Sequence, residues 1–351
     1  MDILAMDLGK SKTVFCEYDS KSAEHKFGKV KTSPQQIHDL LVEKVPDRVV
    51  FEICSAAGWI YDIAKALNLE IEVANPSHQG WRWKKLKRKT DRDDALKLAQ
   101  LSAMKQLPLV HVPNKAVRQK RSLIGYRRKL VERRTQIKNS IRALLDREGL
   151  SMPGGRAGWS QLALQKLKSM AVPISEISND CLWRGQLWME LLQLEHIEHG
   201  LAEVTSALDS LGKKDTAVQR LQSIPGVGPR LSEAIVAYLD SPGRFDNGKQ
   251  VGSYAGLTPK QYQSGSMDRQ GRISGHGNVL LRSLLVEVSW LGLRHNKWMN
   301  ETYHRILRGS QSRKKIAITA VARKLLVRCW AMMRDEKDWS DLKIKVMGEA
   351  A

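Results

Sequence analysis

Residues 1–75 alternate strand-like and helix-like stretches in an order that few folds accommodate. Ile3 to Met6 is an apolar run that ends on Asp7, LGKS reads as a turn, and Thr13 to Tyr18 resumes a β-rich pattern. HKFGKVKT suggests a third strand. SPQQIHDLLVEK opens on Ser-Pro and sets Ile37, Leu40 and Leu41 at helical spacing. RVVFEIC is a short apolar run of the buried-strand type. AAGWIYDIAKALN predicts an amphipathic helix, and EIEVANP a strand stopped by Pro76. The order β-β-β-α-β-α-β predicts an α/β domain that begins as a meander.

The rest of the chain reads as mainly helical. WRWKKLKRK is a basic, Trp-bearing connection, and TDRDDALKLAQLSAMKQ a helix capped by Thr90 or Asp91. From about residue 115 to 150 apolar positions 123, 124, 130, 131, 137, 141, 144 and 145 form a seam near heptad spacing, which Gly149 stops. PGGRAGW is a linker to a second long helical stretch over 180–212, so the two helices predict an antiparallel coiled coil. A Gly-rich segment to about residue 278 precedes helices over 279–296, 298–308 and 312–335. The expected division is an α/β domain over 1–108, a helical coiled-coil region over 109–212, and a mainly helical domain over 213–351.

Charge narrows the partners. The net charge is +21, and it is concentrated: residues 81–150 hold 21 Lys/Arg against 6 Asp/Glu, and residues 261–330 hold 13 against 3. Two basic blocks around a neutral middle suit contact with a polyanion, nucleic acid before an acidic membrane surface. No apolar run reaches about 18 residues, so no membrane span is expected. Cys16, Cys54, Cys181 and Cys329 lie too far apart for a zinc motif or disulfide framework. MDILAMDLGK, with acids at positions 2 and 7, does not read as an export signal. A cytoplasmic, nucleoid-associated protein is the expectation.

Four carboxylates then stand out. Asp7 ends the first strand, Glu52 lies in the RVVFEIC strand, and Asp91 and Asp94 open a helix with a three-residue step that shares one face. A carboxylate in an apolar strand is costly unless it is used. Such a set matches RNase-H-like catalysis, in which the acids hold Mg2+ (or Mn2+) at a phosphodiester. Singly, Asp91 reads as an N-cap and Asp94 as a solvated helix residue, and whether Asp93 joins the set is open. Asp-x-Gly after a first strand also begins the phosphate loop of actin-like ATPases, but no later glycine-rich adenosine segment follows.

Further on, IPGVGPRLSEAIVAYL has the pattern of a helix-hairpin-helix, whose Gly226 and Gly228 permit a tight turn with backbone N–H groups toward a phosphate. In SYAGLTPKQYQSGSMDRQGRISGHGNVLLRSLL, Ser264 is followed by Arg269, Arg272 and Arg282, which suit a phosphoryl centre. A serine is a poor nucleophile unaided, Ser-Gly usually marks a turn, and Ser266 is no worse a candidate on spacing. Candidate backbone contacts also include Arg82, Lys84, Lys85, Lys87, Arg88 and Lys89 beside Trp81 and Trp83, and Arg127, Arg128 and Arg134 on the long basic helix. His196 and His199 have helical spacing, and a solvated helix face explains them better than a metal pair.

Taken in order, DLGK, FEICSAAGW, KTDRDDALKLA, IPGVGP and the QSG…GRIS segment resemble the DEDD transposases of bacterial insertion sequences, the IS110 family of bridge-RNA-guided recombinases, over roughly residues 1–335. The resemblance implies a RuvC-like N-terminal domain, a coiled-coil middle and a C-terminal transposase domain. It implies that Asp7, Glu52, Asp91 and Asp94 bind Mg2+, and that Ser264 forms a covalent phosphoserine link with DNA. It further implies a homo-oligomer (dimer or tetramer), donor and target DNA, and a noncoding guide RNA. One departure is ISGHG, where Gly275 stands at a position that relatives often fill with Lys, followed by His276. A junction-resolvase-like endonuclease and a non-enzymatic nucleic-acid scaffold are the alternatives.

Overall fold

The computed structural model describes residues 1–75, 90–264 and 267–339, and the chain divides into two compact units, Met1–Arg118 and Gln119–Ala351. The first unit holds a five-stranded sheet in the order β3-β2-β1-β4-β5, made of β1 (Asp2–Leu8), β2 (Lys12–Asp19), β3 (His25–Lys31), β4 (Arg48–Glu52) and β5 (Glu70–Ala74). The meander β1-β2-β3 is antiparallel, whereas β4 lies parallel to both β1 and β5.

Strand pleating divides β1 between two cores. Leu4 and Met6 face one side with Val49 and Phe51, where α1 (Pro34–Lys44) and α2 (Ala57–Ala66) bury Ile37, Leu41 and Ile60. Ile3 and Ala5 face the other side with Val50 and Ala74, where α3 (Asp91–Ala103) buries Leu98 and Ala99. Local chemistry sets the helix ends. Ser33 accepts from the Gln36 amide ahead of Pro34, and α1 stops where Val45 turns left-handed.

The second unit is helical. Its longest members are α4 (Lys115–Arg147), whose first turn contains the division between the units, and α6 (Leu182–Lys213). They run antiparallel: Arg127 bonds Thr205, Arg134 pairs with Glu198, and Ser140 bonds Glu190, so each step along one helix retreats along the other. Ile137, Ile141, Leu144 and Leu145 meet Leu187, Leu191 and Leu194 in the seam, joined by Leu167 of α5 (Gln161–Met170). Each fully buried aliphatic side chain contributes about 1.5–3 kcal/mol of burial there.

A larger core follows, built from α7 (Thr216–Gln222), α8 (Pro229–Leu239), α9 (Gly248–Tyr254), α10 (Val279–His295), α11 (Lys297–Leu307) and α12 (Lys314–Asp335). From its surface projects a two-stranded hairpin of β6 (Pro259–Ser264) and β7 (Met267–Ile273), an element absent from the sequence expectation. The four cysteines are free thiols, and no described helix is long and apolar enough to cross a membrane.

Candidate functional site

The first unit gathers the acidic residues on one side of its sheet. The parallel register runs from Ile3↔Arg48 to Met6↔Phe51, so the next step sets Asp7 beside Glu52 at the carboxyl ends of β1 and β4. Paired residues of a parallel ladder share a face, and alternation puts both on the side of Ile3, Ala5 and Val50, which is the side covered by α3. Asp7 and Glu52 are both half-buried. Along α3, Asp91 and Asp94 precede the buried Ala95 and Leu98 on the helix face turned to the sheet; Asp91 is exposed and Asp94 half-buried.

Thr90 is the N-cap of α3, which resolves the choice between Thr90 and Asp91. Its hydroxyl accepts from the Asp93 amide, while the Asp93 carboxylate accepts from the Thr90 amide at 3.0 Å and hydroxyl at 2.7 Å. Those bonds hold the Asp93 carboxyl below its ordinary value. Asp93 therefore serves the helix cap.

The opposite end of α3 is pinned by a polar cluster that sequence reasoning did not single out. Arg48 opens β4, is 9% exposed, and pairs with Glu70 at 2.7 Å and Glu72 at 3.3 Å. Its guanidinium also donates to the hydroxyl of Ser102, which donates in turn to Glu72 at 2.6 Å. The signal was an arginine at the start of a buried strand, a position that demands a partner. The cluster fixes α3 against β4 and β5, and with it the acids at the amino end.

The donor set suits a hard divalent cation in kind, being all oxygen. Among the described residues no three His, Cys, Asp or Glu side chains stand close enough together to hold a metal ion. Asp7 and Glu52 lie on the sheet face that α3 covers, and Asp91 and Asp94 lie at the amino end of that helix.

In the second unit, Ser264 is the last residue of β6, exposed, and paired with Met267 at the hairpin tip. Arg269 pairs with Tyr262, two residues back, so Ser264, Tyr262, Met267 and Arg269 share one face of the ribbon. Arg272 is exposed on β7. Arg282 of α10 instead donates to the Ala255 carbonyl at 3.0 Å and ties down the loop before the hairpin. Gly275 adopts φ +69°, a conformation that disfavours any side chain, and His276 is exposed.

The other candidates divide similarly. Gly226 has φ +89° in the turn between α7 and α8, and Gly228 caps α8; both are exposed, while Ile224 and Val227 are buried beside them. On α4, Arg127 bonds Thr205, Arg128 pairs with Glu132, and Arg134 pairs with Glu198. These three serve the helix pair or their own helix. Arg82, Lys84, Lys85, Lys87, Arg88 and Lys89, with Trp81 and Trp83, lie outside the described residues, as do Gly265 and Ser266.

In sequence, an α/β unit with carboxylates at the ends of β1 and β4 is followed by a basic, mainly helical unit. Comparison with known proteins makes this specific. A transposase model for the DEDD group of IS110 elements matches residues 4–149, and one described as the IS116/IS110/IS902 transposase family matches residues 218–304. The chain is 27% identical to a transposase for insertion sequence element IS1111A of Coxiella burnetii, over 96% of this chain and 91% of that protein. It is 26% identical to a probable family 20 transposase of Pseudomonas aeruginosa, covering 92% and 94%. Among solved structures, T. thermophilus RuvC with a Holliday junction substrate aligns with 31% of this chain and 100% of its own at 16% identity and a TM-score of 0.24. The chain belongs to the IS110 family of transposases.

Proposed function

We propose that this transposase cleaves and rejoins DNA by combining the acidic face of the first unit with Ser264 of the second. The observation that carries the reading is the strand register that sets Asp7 beside Glu52 on the face covered by the α3 amino end, with Asp91 and Asp94. Asp7, Glu52, Asp91 and Asp94 are the residues that would hold Mg2+ (or Mn2+). A bound divalent ion would supply Lewis-acid stabilisation of charge on a phosphodiester oxygen.

The chain's own groups account for the rest. Ser264 Oγ, exposed at a hairpin tip, attacks phosphorus. One P–O bond forms to the serine as another breaks, and the departing DNA oxygen leaves as a hydroxyl. Arg269 shares the ribbon face of Ser264 and offers a planar donor pair to the crowded phosphate. The phosphoserine diester keeps the bond energy for rejoining, so strand exchange needs no external energy source. Exposure of the tip suits a site completed by another protomer, which makes a homo-oligomer part of the proposal. Sequence choice is assigned to a noncoding guide RNA, because backbone-binding basic surfaces carry no sequence information themselves.

The test is cleavage of element-end DNA by the full chain with its co-purified RNA. Asp7→Asn, Glu52→Gln and Asp94→Asn are expected to abolish cleavage while leaving nucleic-acid binding in place. Sequencing that RNA is expected to return one discrete species with segments complementary to donor and target. Wild-type cleavage by Asp7→Asn removes the acidic face from the chemistry and leaves a nucleic-acid scaffold. Cleavage that yields only protein-free ends favours a resolvase-like hydrolysis.

A further inference from the structure

We propose that a cavity between α9, α11 and α12 is a phosphodiester-binding pocket, which holds a nucleic-acid backbone at the base of the hairpin that carries Ser264. The cavity measures about 510 Å3, and Lys249, Arg305, Arg323, Lys324 and Arg328 line it together with Trp298. No carboxylate lines it among the described residues. Lys249 and Lys324 are exposed and Arg323 and Arg328 half-buried, and none of the four forms an ion pair with a described acid, whereas Lys120 pairs with Asp215 and Arg230 with Asp209.

Packing builds this arrangement from three helices. Arg323, Lys324, Val327 and Arg328 fall on one face of α12, at steps of one, three and one residues. Trp298 and Arg305 lie two turns apart on α11. Close approach of α9 depends on Gly248 and is eased by Gly252. A Cβ at Gly248 would stand 2.7 Å from Val327 Cγ1, and one at Gly252 would stand 3.2 Å from Arg323 Cγ. The stem of Arg323 is therefore laid closely along α9 at Gly252. Arg328 is held over the Trp298 ring at 4.0 Å and the Trp339 ring at 5.1 Å. Its guanidinium is oriented by aromatic contact and keeps its hydrogen-bonding edge for a ligand.

Gathering so many like charges without an acid opposes folding unless an anion offsets it. The field is felt inside the pocket: burial, then Arg305, Arg323 and Arg328, draw Lys324 below its ordinary value. Burial also lowers Arg328. Phosphate is the anion that several arginines and a lysine recognise together, through bidentate guanidinium contacts and a point-charge ammonium. The pocket is also placed for a role. Thr258 lines it, accepts from the Ser274 amide at 2.8 Å, and immediately precedes β6. Six residues of strand separate Thr258 from Ser264, about 20 Å at roughly 3.3 Å per residue. A strand anchored there is held within a few nucleotides of the hairpin tip.

This inference extends the transposase reading, and its test reads binding alone, so either can fail without the other. Labelled DNA and RNA oligonucleotides are titrated with the full chain at 50–200 mM salt, comparing wild type with Arg323→Gln and Lys324→Gln. Each substitution removes one phosphate contact, so the slope of log affinity against log salt becomes shallower by about 0.9 for duplex and 0.7 for single strands. Between those salt concentrations wild type then loses about 3.5-fold more duplex affinity than either variant. Lys324→Arg keeps the wild-type slope, and Lys168→Gln, at a surface lysine paired with Glu195, changes nothing. A change confined to DNA assigns the pocket to the recombining strand, and one confined to RNA assigns it to the guide. Unchanged slopes with correctly folded Arg323→Gln and Lys324→Gln overturn the proposal. Thermal stabilisation by inorganic phosphate without any slope change overturns it equally, leaving a small-anion site.

Discussion

Arg48→Met isolates how α3, and so half of the acidic set, is kept in position. The substitution preserves the apolar stem and removes the guanidinium that bonds Glu72, Glu70 and Ser102. Glu70 is 55% exposed, so water screens most of that pair and it contributes little. Glu72 is 15% exposed, and stranding it is the main penalty. Loss of one partner from a fully buried pair costs about 3–5 kcal/mol, and the residual access of Glu72 reduces this to about 2–3 kcal/mol. Removing both partners, as Arg48→Met with Glu72→Gln, costs about 1 kcal/mol because no charge is left behind. Native-state hydrogen exchange reads the effect locally. The single variant is expected to exchange α3 and β5 amides roughly 30- to 140-fold faster than wild type, the equivalent of 2–3 kcal/mol. The paired variant recovers most of that protection, and α6 in the second unit is unaffected. DNA cleavage falls with the α3 protection. Unchanged α3 exchange, or a paired variant no better protected than the single one, would refute the positioning argument.

Other consequences are simpler to read. Asp93→Asn should retain cleavage and lose only helix-end protection, whereas Asp94→Asn abolishes cleavage; equal loss from both would return Asp93 to the metal set. In the second unit, Leu187→Ala is expected to cost about 2–5 kcal/mol in denaturant unfolding, since Leu187 is fully buried between α4 and α6, while Leu192→Ala at an exposed position stays within about 0.5 kcal/mol. Glu233 is 1% exposed, and burial raises its carboxyl above the ordinary 4.5 despite Arg230, Lys120 and Arg127. The folded state thus holds that proton more tightly than the unfolded state, so the contribution of Glu233 is greatest below about pH 4.5 and declines as pH rises through the raised value. Glu233→Gln should therefore gain in Tm relative to wild type between pH 4 and 7; a constant gap across that range contradicts the assignment.

Much of this architecture was legible because periodicity reports burial. The meander, the buried β4 strand and the two long helices all carry apolar residues at the repeat of their structure, and each formed where its pattern stood. The hairpin of β6 and β7 was invisible to the same reasoning. Gln261, Tyr262, Gln263 and Ser264 are all exposed, so no apolar face alternates there. Carboxylates were legible by type and spacing, since the 45-residue offset between Asp7 and Glu52 equals the β1–β4 register. Arg48 was overlooked because its meaning depends on Glu72 and Ser102, which only the sheet brings near. Several arginines counted as nucleic-acid contacts proved to have protein partners, Arg134 with Glu198 and Arg282 with the Ala255 carbonyl. Composition registers a cation without registering what neutralises it, and the same blindness hid the cations of the α9–α11–α12 cavity.

The central claim is that Ser264 makes the attack and the acidic face enables it. The most direct measurement is to react the full chain and its RNA with end-labelled element DNA in Mg2+, denature, digest and map any nucleotide-linked peptide by mass. The account predicts a DNA adduct on the peptide containing residue 264, lost in Ser264→Ala and in Asp7→Asn, with Ser266→Ala still forming it. Cleaved DNA without any protein adduct, or an adduct that persists in Ser264→Ala, contradicts it.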